Sequence, residues 1–333
     1  MLKTLKRKEV VDSIEGKKCP SHVPMTFGIW PPNYRDFRFF QAIACHVRFP
    51  GDLFVTYSAS YIAQMARGQG VVMFDRKKNK GALDSAVALE DYKDLDKFLT
   101  TWHNPNKIKF SKMQSRDRYK LAVIWNFLYE NLWQIRGMDK ALTDLCLYPE
   151  EVHKIFRNII DFYKVLIKNA KDSGCDGFLV SDDLGHQNNT FFSPDTFKNL
   201  FFPYYKEFID YAHSIGMHVW LHTCGNVTNF LPFFVEMKLD VLHPLQKYCM
   251  DEVKVFNEYK DKISFLYGFD VQQIIPNGTT DEIKAEVRRV YDLFSKANGR
   301  FIFTAGNGIT ANCPIESYKT LVKEAKTYNP YSE

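Results

Sequence analysis

The sequence predicts an α/β protein built as a single (β/α)8 TIM-type barrel with an N-terminal helical extension. Short apolar runs alternate with helical patterns five times between about residues 177 and 333. That is the rhythm of parallel strands joined by crossover helices. Three earlier strand-like runs bring the count to the eight that close a barrel. No linker, low-complexity stretch or short-period repeat interrupts the 333 residues. Residues 1–333 therefore read as one domain, a size such barrels reach undivided. Hydrophobic residues are 45% and charged residues 25% of the chain, which excludes a disordered protein.

The elements follow in order. Residues 1–20 read as an amphipathic helix, with Val10, Val11 and Ile14 at helical spacing. Lys3, Lys6, Arg7, Lys8, Lys17 and Lys18 give it a solvated basic face and carry much of the net charge of +5. A nucleic-acid reader would spread its basic residues over a domain with a recognisable motif, so no nucleic-acid partner is expected. Residues 23–29, 53–57 and 70–74 read as strands. From about Arg116 to Ala170 the period is helical, broken near Arg136-Gly137 and at Pro149.

Strand 177–181 precedes a helix from Pro194 to about Ser214, which opens on Ser193-Pro194-Asp195 and closes at Gly216. Strand 217–221 leads into a helical segment 227–238, and strand 239–242 into helix 251–260. Strand 263–267 is followed by a helix opened by the capping box Thr279-x-x-Glu282. Strand 301–304 and a last helix starting at Pro314 complete the set.

No run reaches the roughly eighteen apolar residues of a membrane helix, and no secretory apolar segment lies near Met1. Glu9, Asp12 and Glu15 argue against a transit peptide. The seven cysteines are odd in number and scattered. They fit reduced thiols, and a cytoplasmic protein is expected.

In a barrel, residues just beyond different strands converge on one face. His222 and Cys224 follow strand 217–221 two positions apart, so both side chains face one side of an extended chain. Cys313 follows strand 301–304 at the start of the last helix, where the helix dipole favours thiolate. Three ligands of this type leave one tetrahedral position open, as in catalytic zinc sites, and the chain has no second close-spaced cysteine pair to close it. A core histidine and buried cysteines are the ordinary alternative.

Asp182 and Asp183, at the end of strand 177–181, are candidates for catalysis; capping or an ion pair would also explain them. Trp30, His186, His243 and Asn307 are candidates for the substrate pocket. Core packing, a solvated loop, a rim hydrogen bond and turn geometry are the respective alternatives.

Several stretches resemble the uroporphyrinogen decarboxylase superfamily, and more closely its zinc-dependent, corrinoid-linked methyltransferase branch. They are Ser181-Asp182-Asp183-Leu184-Gly185, Ser193-Pro194, Phe202-Pro203-Tyr204-Tyr205-Lys206 and His222-x-Cys224-Gly225-Asn226. Leu132-Trp133-x-x-Arg136-Gly137-Met138, Asp240-Val241-Leu242-x-Pro244 and Tyr267-Gly268-Phe269-Asp270 match as well. So does the stretch from Arg7-Lys8-Glu9 to Glu15-Gly16-Lys17. The resemblance covers nearly the whole chain and is densest over 130–313. It implies an α/β barrel with zinc on His222, Cys224 and Cys313. The implied reaction moves a methyl group between a corrinoid and a thiol or similar acceptor.

The chain lacks the D-x-H-x-x-G signature of corrinoid-binding domains, so methylcobamide is expected on a partner corrinoid protein or as a free cosubstrate. A metal-independent decarboxylase is the second reading. Its family signature after the first strand is arginine-rich, whereas residues 27–34 here hold no arginine. A third reading is a non-catalytic zinc-binding partner of a corrinoid protein.

Overall fold

The structure is a computed structural model. It describes residues 3–27, 41, 44–45, 47–58, 88, 90, 104–113, 117–295, 298–306, 309 and 313–331. Seven parallel strands are present among these, following one another in chain order: β1 (Leu53–Tyr57), β2 (Tyr119–Ile124), β3 (Gly177–Ser181), β4 (His218–His222), β5 (Val241–His243), β6 (Ser264–Gly268) and β7 (Phe301–Thr304). The architecture is α/β and of the TIM-barrel type. Contacts divide the chain into two compact units, one of residues 1–54, 114–119 and 240–333, the other of residues 55–113 and 120–239. No helix among the described residues is long and apolar enough to cross a membrane.

In the unit centred on residues 120–239, β2 pairs with β3 from Leu121 opposite Gly177 to Ile124 opposite Val180. β3 pairs with β4 from Gly177 opposite His218 to Ser181 opposite His222. β2 and β3 are buried along their whole length, which is why they read as unbroken apolar runs instead of alternating ones.

The expected helical segment 116–170 is corrected here: it begins with β2. Tyr119–Ile124 carries no period of two because both of its faces are covered, and buried Lys120 disguises it further. That lysine's ammonium donates to Ser111 O at 2.5 Å and Ser173 O at 2.7 Å. Helices α2 (Leu128–Arg136), α3 (Met138–Leu147) and α4 (Pro149–Asp172) follow, broken at Gly137 and Pro149 as the sequence indicates.

The helix expected over 194–214 is also modified. A first turn at Pro194–Thr196, capped by Ser193, runs into a π-type turn over Phe197–Phe201 before α5 (Phe202–Ser214). Pro203 has no N–H to give the preceding turn, and the Phe202 N–H reaches back five residues to Phe197 O. A short helix, α6 (Leu231–Glu236), follows β4.

In the other unit, β5 pairs with β6 and β6 with β7, up to Gly268 opposite Thr304. The strand expected over 23–29 is represented by a single parallel bridge between Met25 and Phe303. Residues 28–29, and the strand expected over 70–74, lie outside the described residues. The N-terminal helix is α1 (Arg7–Ile14), shorter than the expected 1–20 because Gly16 turns the chain at φ +66°. Helices α7 (Glu252–Tyr259), α8 (Thr280–Phe294) and α9 (Ile315–Thr327) complete the alternation.

One buried carboxylate, Asp52, gathers this unit. It accepts from Leu5 N at 2.9 Å, Met25 N at 3.1 Å and Lys326 Nζ at 2.9 Å, and meets His22 Nε2 at 3.0 Å. Asp52 and the Lys326 side chain are both excluded from solvent.

Candidate metal centre

The register of β3 and β4 builds the site. Ser181 faces His222 in the last pair of the ladder, and Asp182 N donates to His222 O at 2.8 Å just beyond it. Parallel strands in register bring the residues past their ends side by side. The Cys224 N–H accordingly donates to Asp183 Oδ1 at 2.8 Å, and Leu184 N donates to Thr223 Oγ1 at 3.0 Å. The two loops then cross where each has a glycine. A Cβ on Gly225 would lie 2.7 Å from His186 N, and one on Gly185 would lie 2.8 Å from Asn226 O. Gly225 also holds φ +86°.

Three donor atoms meet there. His222 Nε2 is 3.5 Å from Cys224 Sγ and 3.6 Å from Asp183 Oδ1. All three donors lie within 4.8 Å of one another. Tetrahedral zinc, with bonds of about 2.0–2.3 Å, holds its donors roughly 3.3–3.7 Å apart, so two of the spacings match directly. Imidazole, thiolate and carboxylate are also the ligand types that zinc takes. The donor set therefore fits the metal.

His222 is buried, with the Trp125 ring edge-on at 4.9 Å. Burial pushes its pKa down while the charge of Asp183 pulls it up, and the net shift is downward. That keeps the ring neutral at neutral pH, the form that binds metal.

Behind the donors is a group of acids. Asp182 is fully buried and accepts from Tyr129 N at 3.2 Å, Glu130 N at 2.8 Å and Tyr205 Oη at 2.6 Å. It thus caps the first turn of α2 from another strand. Burial pushes its carboxyl up to about 7, against those three hydrogen bonds and with help from Asp183. Glu130 Oε1 accepts from Ser181 Oγ at 2.7 Å and Asp183 N at 3.1 Å. Burial, then the charges of Asp182 and Asp183, push Glu130 up to about 8. Sequence reasoning misses Glu130 because periodicity alone makes its segment a continuous helix. Recognising β2 would have marked residues 125–130 as a strand end.

The remaining candidates are dispersed. His186 is exposed beside Phe191, and its carbonyl accepts from Asn226 N at 2.8 Å. His243 and Cys313 belong to the other unit. His243 is the buried last residue of β5. Cys313 is buried just before α9, with its thiol donating to Pro314 O at 3.5 Å. Trp30 and Asn307 lie outside the described residues.

Comparison with known proteins gives the fold its relatives. A solved structure, a methyltransferase from Methanosarcina mazei, superposes with a TM-score of 0.65 over 97% of this chain and 98% of that chain, at 14% identity. The likeness supports the barrel fold. In sequence, the chain is 23% identical over 200 residues to the methylcobamide:CoM methyltransferase MtbA of Methanosarcina mazei. It is 21% identical over 200 residues to the protein of the same name in Methanosarcina acetivorans. Each match takes in 60% of this chain, which spans about half (52%) of the length of these curated relatives. The family model described as uroporphyrinogen decarboxylase (URO-D) matches residues 131–328, more than half of the sequence. The chain is a member of the uroporphyrinogen decarboxylase family.

Proposed function

We propose that the protein is a cytoplasmic, zinc-dependent methyltransferase that moves a methyl group between a corrinoid and a thiol. The single observation that carries the reading is the His222–Cys224 donor pair, set 3.5 Å apart at the end of β4. The relatives named methylcobamide:CoM methyltransferases favour a methylcobamide as donor. That cosubstrate arrives on a partner corrinoid protein or free. His222, Cys224 and Cys313 are the proposed protein ligands. Cys313 follows β7 as Cys224 follows β4.

Bound there, zinc would hold an acceptor thiol as thiolate at neutral pH, where a free thiol with a pKa of about 8.5 is mostly protonated. The methyl group would pass from cobalt to that sulfur, whose lone pair would form the S–C bond while the Co–C electron pair would stay with the corrinoid. Buried His222 contributes a neutral nitrogen donor. Trp125 packs edge-on to the imidazole and limits its rotation. Glu130 holds the backbone of Asp183, and Asp183 holds that of Cys224, so the donors keep their spacing.

Elemental analysis tests the reading. Protein purified without chelator should carry about one zinc per chain and methylate a thiol from methylcobalamin. Both properties should be lost in Cys224→Ala and in Cys313→Ala. A folded wild-type protein free of metal sinks the proposal, as does full activity in Cys313→Ala.

A further inference from the structure

We infer that Asp183 is a fourth, oxygen ligand of the metal held by His222 and Cys224, so that its carboxylate closes the centre when no thiol substrate is bound. This rests on the zinc reading above and adds a ligand that the His-x-Cys…Cys pattern does not contain.

The first support is position. Asp183 Oδ1 lies 3.6 Å from His222 Nε2, the separation of neighbouring donors around one tetrahedral ion. Its direction is fixed from two sides, because the carboxylate accepts from Cys224 N at 2.8 Å while its own N–H donates to Glu130 Oε1 at 3.1 Å. Charge is the second support. Among the described residues no lysine or arginine pairs with Asp183, whose carboxylate meets the Cys224 N–H and the His222 ring. A carboxylate beside a neutral imidazole and a thiol has no cation to face, and a divalent ion on these three donors supplies one.

Exposure is the third. The Asp183 side chain is 42% accessible whereas that of His222 is 5% accessible. The carboxylate therefore sits on the solvent side of the cluster, where an incoming thiol would meet it first.

Asp183→Asn separates a ligand from a mere brace. The amide keeps the size and an oxygen that can accept from Cys224 N–H, but it loses the charge that makes a carboxylate a good ligand. Two readouts apply, neither of them activity: zinc affinity by competition with a chromophoric chelator, and the visible spectrum of the cobalt(II)-substituted protein. We expect zinc to bind at least roughly ten-fold more weakly in D183N, with an altered cobalt spectrum. Wild-type affinity together with an unchanged spectrum in D183N overturns the inference and leaves the zinc reading standing. A metal-free wild type overturns both. Should D183N not fold, Asp183→Ser, which keeps a smaller acceptor, is read by the same criteria.

Discussion

At Gly225 a single hydrogen atom stands where any other residue would place a carbon. Its φ of +86° and the nearness of His186 N are separate penalties for a side chain. A positive φ alone costs an alanine about 1–2 kcal/mol. Gly174, with φ +79° and nothing within 4 Å of the position a Cβ would take, isolates that cost. Gly225→Ala should therefore destabilise clearly more than Gly174→Ala in urea titrations, and it should also weaken metal binding by displacing Cys224. Equal losses in the two variants would refute the crossing as the cause.

Residues of this kind are partly legible in the sequence. His222 and Cys224 declare themselves through residue type and position after an apolar run, and a turn at Gly225 is readable from glycine itself. The Asp183–Cys224 bond is not legible, because it depends on the register between two strands some forty residues apart. Glu130 is hidden for the reason that hides its strand. Nothing local distinguishes it from an ordinary helix-surface acid.

The elements divide the same way. Strands 53–57, 177–181 and 301–304 have the expected bounds, and β4, β5 and β6 are displaced by one or two residues. Their flanking glycines, prolines and caps are local signals. β2 lacks such signals, and Tyr119–Ile124 becomes a strand only because neighbours cover both faces. The π-type turn before α5 arises from one proline whose effect is felt a turn earlier.

A local signal that does hold is the reciprocal cap of α8. Glu282 N donates to Thr279 Oγ1 at 3.3 Å and Thr279 N donates to Glu282 Oε2 at 2.7 Å. Thr279→Ala should lower unfolding free energy by about 1 kcal/mol. Thr279→Ser should restore most of it, and denaturant titration of both variants checks the pair. No loss in the alanine variant would mean that packing of α8 alone fixes its start.

On the scale of the whole molecule, the buried cluster around Asp52 makes stability depend on pH. Burial alone would raise this carboxyl, but the His22 hydrogen bond and the charge of Lys326 carry it below its usual value. A depressed carboxyl contributes stability above its unfolded pKa of about 3.9, and that contribution is lost as pH falls through the lower folded value. Asp52→Asn leaves Lys326 buried without its partner and should cost about 3–5 kcal/mol at pH 7. The gap to wild type should narrow between pH 7 and pH 3, because wild-type Asp52 begins to lose this contribution as the pH falls below its unfolded value toward the lower folded one. Urea midpoints at the two pH values decide the matter, and a constant gap would assign the effect to packing.

The same cluster has a consequence for the order in which the protein can assemble during synthesis. Asp52 and Lys326 are 274 positions apart, and the unit they fasten is made of residues 1–54, 114–119 and 240–333. The ladder from β2 to β4 is drawn from one nearly continuous stretch, complete once residue 222 has been made. A ribosome therefore delivers the donor-bearing unit first. It releases Asp52 early, to wait without its lysine until residue 326 has been made.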